Sequence, residues 1–159
     1  MIITSSGIIN GKIDDRYGKF GDNGLSLPFS IAEEPEGTKC FALLLEDKDA
    51  MPVCGFSWIH WVAFGFNGPD VPEDASRKCE MVQGVNSLVS PLGGNASKEE
   101  ASRYSGMAPP DAPHYYELHV FALDCVPQLE SGFYANQLFH AMRGHILAQD
   151  TLGGWYRNA

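Results

Sequence analysis

Two aspartates, two histidines and a tyrosine carry most of the chemistry on offer. Asp47 and Asp49 stand two residues apart, just after the apolar run at residues 41–45. On extended backbone their carboxylates share one side while Lys48 takes the other. His60 interrupts an aromatic and β-branched stretch, and His114 and Tyr116 alternate at the start of a later one. Pro109, Pro110 and Pro113 stiffen the approach to that second stretch. Together these groups make a small cavity of two carboxylates, two imidazoles and a phenol. An imidazolium beside a carboxylate keeps its proton near neutral pH and can hold phosphate or sulfate. The carboxylates then orient the imidazoles, or meet the cationic part of a zwitterion such as a phosphoamine. A plainer role stands beside each of these. A lone histidine among Trp and Val is more often a hydrogen-bonded core residue than a ligand.

The same residues admit an enzymatic reading. Asp47, Asp49, His60 and His114 have the ligand types of a two-carboxylate, two-imidazole metal site, and a Ser with His and Asp would cleave esters. The chain has no Gly-x-Ser-x-Gly elbow to support the latter. Non-catalytic binding of a small anionic, phosphate-bearing ligand is the reading preferred here, with the metal-dependent or ester-cleaving hydrolase as its alternative. No cofactor is expected.

These groups must be positioned by short elements. Ile8-Ile9-Asn10-Gly11-Lys12-Ile13 sets Asn-Gly between apolar residues, a strong hairpin signal. Residues 28–31 form a short strand. Residues 41–45 are a continuous apolar run ending in Glu46-Asp47, too short for a helix. In residues 57–66, alternation puts Trp58, His60, Val62, Phe64 and Phe66 on one face and Ile59, Trp61 and Ala63 on the other. Both faces are apolar, which predicts a central strand covered on both sides. Residues 67–114 form a long polar excursion with a short strand at 78–82 and a helical turn at 98–102. Strand signal returns at residues 115–123. Leu138, Met142 and Ile146 then recur every four residues, predicting a helix over 134–148.

Composition narrows the class. The 159 residues carry 11 basic and 20 acidic side chains, a formal net charge of −9, which repels a polyanion and disfavours a nucleic-acid partner. With 17 glycines and 10 prolines, the chain is turn-rich and reads as β-rich, in one domain over residues 1–159. Residues 58–66, the most apolar stretch, are too few to span a bilayer. Residues 1–6 lack the marks of a signal peptide, so a cytoplasmic location is expected, without membrane insertion. Cys40, Cys54, Cys79 and Cys125 show no Cys-x-x-Cys pairing and read as free thiols. The Asn95-Ala96-Ser97 sequon is accidental in such a protein.

Several segments, in order along nearly the whole chain, carry a family resemblance. Residues 44–52, Leu-Leu-Glu-Asp-Lys-Asp-Ala-Met-Pro, resemble the Asp-Pro-Asp-Ala-Pro motif of the phosphatidylethanolamine-binding protein family. His60-Trp61-Val62 looks like its His-Trp-Val strand, and Gly84-Val85-Asn86-Ser87 is similar to its bacterial Gly-x-Asn-Ser segment. Residues 104–110 with His114-Tyr115-Tyr116 look like the Gly-Pro-x-Pro-Pro…His-Arg-Tyr stretch. Ala122-Leu123-Asp124 and residues 141–148 are similar to the bacterial Raf-kinase-inhibitor-like (YbhB/YbcL-like) branch.

The resemblance implies an all-β fold: a β-sandwich of two antiparallel sheets with Greek-key connections, a C-terminal helix and short peripheral helices. It implies an anion pocket built by Asp47, Asp49, His60, Ala108, Pro109, Pro110, His114 and Tyr116. It also implies a homodimer, a cis Met51–Pro52 bond, and a regulatory role by analogy to kinase-restraining members, with no protein partner identified. The chain departs from the motifs at Lys48, the extra Met51, Ala108 and Tyr115. Ala108 adds a methyl group where the family usually has Gly at the rim, which predicts a narrower pocket.

Overall fold

The computed structural model describes residues 1–66 and 68–159. Ten strands lie in two sheets. β1 (Ile2–Thr4), β4 (Phe29–Ala32) and β7 (Asp70–Val71) form the smaller sheet. The larger one contains β2 (Ile8–Ile9), β3 (Lys12–Ile13), β5 (Cys40–Asp47), β6 (Trp58–Phe64), β8 (Val82–Gln83), β9 (His114–Leu123) and β10 (Ile146–Tyr156). Its strand order is β2-β3-β10-β9-β5-β6-β8. Among the described residues four short α-helices accompany them: α1 (Met51–Cys54), α2 (Ala75–Lys78), α3 (Lys98–Ala101) and α4 (Ala135–Met142). No helix among the described residues is long and apolar enough to cross a membrane.

The apolar run at the centre explains the layering. In β5, Phe41, Leu43 and Leu45 face a core shared with Ile3, Phe29, Ile31 and Val71 of the smaller sheet. Cys40, Ala42 and Leu44 face a second core, closed by Phe133 and by Leu138 and Met142 of α4. Because β5 is buried on both faces, its sequence reads as continuous hydrophobicity rather than alternation. Asn10 and Gly11, at φ of 51° and 73°, close the β2–β3 hairpin with the two left-handed residues that a type I′ turn needs.

Five expectations are corrected. The helix over 134–148 stops at Met142, because Gly144 takes a left-handed φ of 81° and turns the chain out of the helix. Ile146 therefore opens β10, the longest strand, and the chain continues past α4 as sheet. Not every pairing is antiparallel: β3 pairs with β10 in parallel at Trp155 and Lys12. The strand expected at 78–82 divides into α2, where Asp74 pairs with Arg77 and Lys78 one turn on, and the two-residue β8. β6 is covered on both faces but is not central, since beyond it lies only β8, paired at Ala63 and Phe64. Its alternation also breaks, because Ile59 packs with Val62 and Phe64 while Phe66 joins Trp61 and Ala63. The expected helical turn near 98–102 is present as α3, with Ser97 and Glu100 forming a capping box.

On the outer face of β5 and β9, Glu46 accepts from His119 Nε2 at 3.0 Å and from Ser57 Oγ at 2.6 Å. The His119 hydrogen bond is the largest influence; burial works against it, and Ser57 and Lys48 add to it, bringing the Glu46 pKa from 4.5 to about 2. A depressed carboxylate contributes stability above its unfolded pKa and loses it as pH falls through the folded value. Thermal unfolding followed from pH 4.5 to about 2 should show that loss, and Glu46→Gln should flatten it. An unaltered acid limb in Glu46→Gln would assign the loss to other groups.

Candidate functional site

The polar residues meet where three strands end together. Asp47 is the last residue of β5 and lies opposite Tyr116 of β9 and Trp58 of β6. The β5–β6 register slips between Leu45 and Glu46, opposite Trp61 and Ile59, so His60 is the extra residue of a bulge. That bulge is locked by one neighbour. Ser105 N donates to the His60 carbonyl at 2.8 Å, and His60 Nδ1 donates to the Ser105 carbonyl, also at 2.8 Å. A bulge that re-aims a side chain beside a cavity is a recurrent way to build a site.

The cavity occupies about 390 Å³. Asp47, His60, His114 and Tyr116 line its polar end, with Ser105, Gly106, Ala108 and Pro110 along one rim. Ala50, the N-cap of α1, and Val53 and Cys54 at its end, together with Trp58, Leu88 and Leu92, make an apolar wall. Six of the eight residues singled out from the sequence thus converge. Asp49 and Pro109 do not line the cavity. Asp49 is exposed and accepts from the Tyr115 amide at 2.8 Å, which tethers the start of β9 rather than an imidazole. Pro109 is buried, and its carbonyl accepts from Lys19 Nζ at 2.9 Å.

The two histidines differ in charge. Burial lowers the pKa of His60, more than its hydrogen bond to Ser105 and the nearby Asp47 raise it, so it is neutral. With Nδ1 donating to a carbonyl, its Nε2 carries a lone pair. His114 is buried too, and burial alone would discharge it. Carboxylates flank both of its nitrogens, however: Asp47 Oδ2 at Nδ1 and Asp111 Oδ1 at Nε2, each at 2.8 Å. Together they raise its pKa above the ordinary imidazole value. Carboxylates only accept, so this geometry favours hydrogen on both ring nitrogens, the imidazolium form.

Tyr116 is almost fully buried, and burial followed by the Asp47 charge raises its pKa, so it stays a phenol. The Asp47 carboxylate and the Ala108 backbone lie near its oxygen, yet no group among the described residues meets hydrogen-bond geometry with it. Buried hydroxyls rarely go unpaired.

The loop after Asp47 differs from expectation. Among the described residues no peptide bond is cis, so Met51–Pro52 is trans. The extra Met51 opens α1 and Pro52 sits in its first turn, where a proline lacks no needed donor. One helical turn then performs the chain reversal. The wall residues of α1 and the clamp residue Asp111 were missed from sequence. The signal for Asp111 was its place three residues before His114.

The metal reading of the pocket is not supported by the donor geometry. Only His60 Nε2 is left open: both His114 nitrogens are committed to carboxylates, and Asp49 lies outside the cavity on a backbone amide. Among the described residues, metal-capable groups within 4.8 Å of one another occur elsewhere, at Asp124, Cys125 and His145 and at Glu46, Glu117 and His119. In both places members of the cluster are already ion-paired: His145 with Asp124, His119 with Glu46, and Glu117 with Lys48.

Comparison with known proteins agrees with this architecture. A family model described as phosphatidylethanolamine-binding protein matches residues 4–157. The chain is 42% identical over 143 residues to the uncharacterized protein YxkA of Bacillus subtilis, covering 87% of this chain and 85% of that one. It is 33% identical over 147 residues to a UPF0098 protein of Methanothermobacter thermautotrophicus, covering 92% and 91%. The crystal structure of the phosphatidylethanolamine-binding protein homolog CT736 of Chlamydia trachomatis superposes with a TM-score of 0.84 at 31% identity, over 99% of this chain and 97% of that one. E. coli YbcL shares the fold at a TM-score of 0.76 and 24% identity, over 98% and 96%. With its fold, its converging motifs and these relatives in agreement, the chain belongs to the phosphatidylethanolamine-binding protein family.

Proposed function

We propose that the protein binds, without catalysing a reaction, a small ligand whose phosphate or other anionic group enters the polar end of the pocket. The observation that carries this reading is the Tyr116 hydroxyl, buried at the cavity wall without a partner among the described residues and beside the charged ring of His114. A phenol that stays protonated is a donor for an anion, and neutral His60 Nε2 accepts from a hydroxyl or ammonium group of the same ligand. The apolar wall of Val53, Trp58, Leu88 and Leu92 suits an apolar substituent. Membership of the family supports ligand binding in general; the anionic class is our inference from these residues. We also propose a homodimer, which light scattering over a wide concentration range tests. A monomeric mass throughout would reject it.

Calorimetric titration with sulfate, whose charge is constant across the neutral range, tests the pocket. Affinity should fall as pH rises through the raised pKa of His114, because the imidazolium is lost there. Sulfate binding independent of pH would reject the role given to His114.

A further inference from the structure

The Asp111 carboxylate, on the turn that leads into β9, occupies His114 Nε2, the one ring nitrogen not bound to Asp47. His114 has two donors. Nδ1 is spent on Asp47, buried at the end of β5, and Nε2 on Asp111, whose side chain is 57% exposed. The remaining groups facing the ring are neutral His60 from β6 and the Tyr116 phenol. With two carboxylates and one imidazolium, the local charge sums to −1, which opposes a bare anion.

We propose that Asp111 is a specificity-determining gate, an internal carboxylate that competes with the ligand's anionic group for His114 Nε2. This rests on the anion-binding reading above and adds a second requirement to it. A ligand must displace Asp111 to reach the imidazolium, and once it has, Asp47 and His114 cancel and the Tyr116 and His114 donors both face it.

The backbone around Asp111 is held while its side chain is more than half exposed. Asn158 Nδ2 donates to the Asp111 carbonyl at 3.0 Å. Lys19 Nζ joins the Pro109 carbonyl at 2.9 Å and the Asn158 carbonyl at 2.6 Å, tying the loop to the end of β10. The carboxylate itself is bound through its Oδ1 to His114 and is more than half exposed. A rigid loop with a releasable side chain makes the competition a side-chain event, needing no movement of the pocket wall. It also discriminates among ligands, because a weakly charged group displaces a carboxylate poorly whereas a phosphate or sulfate displaces it well.

The test uses the full chain and its Asp111→Ala and Asp111→Asn variants, titrated with sulfate by calorimetry below the His114 pKa. Removing a unit negative charge beside the anion should tighten sulfate binding on the order of tenfold in both variants. Nuclear magnetic resonance of the His114 ring in the free protein should show its pKa falling in both. Sulfate affinity equal to or weaker than that of the parent protein would overturn the gate while leaving anion binding in place. A His114 pKa that does not move would show that the contact is absent in solution, and would overturn it as well. If neither the parent nor the variants bind sulfate, the gate falls together with the binding reading.

Discussion

His114→Ala should destabilise the protein by about 3–5 kcal/mol, the usual cost of removing one partner from a buried charged pair. Asp47 and His114 side chains are 5% and 3% exposed, so the Asp47 carboxylate left behind would lose its cation while remaining largely shielded from solvent. Its remaining bond, Oδ1 accepting from the Ala50 amide at 3.1 Å, does not neutralise the charge. Denaturant unfolding measures the loss. A second variant separates the buried charge from simple loss of packing. Asparagine at position 47 still accepts from the Ala50 amide but carries no charge, so Asp47→Asn in the His114→Ala background should recover stability. A double variant no more stable than His114→Ala would assign the loss to the cavity instead. The effect should also depend on pH. A histidine with a raised pKa contributes its full stability below the unfolded value of 6.5 and loses it as pH rises through the folded value. The gap between parent and His114→Ala should therefore narrow in alkaline solution.

Tyr116→Phe should do the opposite to the fold and the greater damage to binding. The hydroxyl it removes is buried and has no hydrogen-bond partner among the described residues, so stability should hold or rise, because an orphaned buried polar group is itself a cost. The edge-to-face contacts of the ring with His60 and Tyr156 survive in phenylalanine. A hydrogen bond to a charged ligand group is worth about 1.5–3 kcal/mol, so sulfate affinity should fall roughly tenfold to a hundredfold. Calorimetry for binding and thermal unfolding for stability read the two sides separately. Sulfate affinity unchanged in Tyr116→Phe would remove the observation on which the functional reading rests. A marked loss of stability would show that the hydroxyl has a partner within the folded protein.

Much of this was legible in the residues before any fold was known. The Asn10-Gly11 hairpin, the apolar strand β5 and the helical turn of α3 follow from local residue chemistry. The same holds for Asp47, His60, His114 and Tyr116, since a polar group at the end of an apolar strand stands out against its neighbours. Local reasoning failed where two patterns overlapped. Ile146 continues the four-residue stripe of Leu138 and Met142, yet Gly144 interrupts the helix, and strand β10 forms because β9 offers an open edge to pair with.

Charge and access came only from the tertiary structure. Sequence spacing treated His60 and His114 as equivalent imidazoles and Asp47 and Asp49 as equivalent carboxylates. A bulge opposite the Leu45–Glu46 step buries His60 against the Ser105 carbonyl and keeps it neutral, while carboxylates 67 and 3 residues away along the chain converge on His114 and charge it. Proton affinity depends on distances of a few ångströms between residues remote in sequence. Residue types and their order along the chain were enough to place the fold in its family. Which groups face the pocket, which are protonated and which stands as its gate were decided by how three strand ends and one anchored loop pack together.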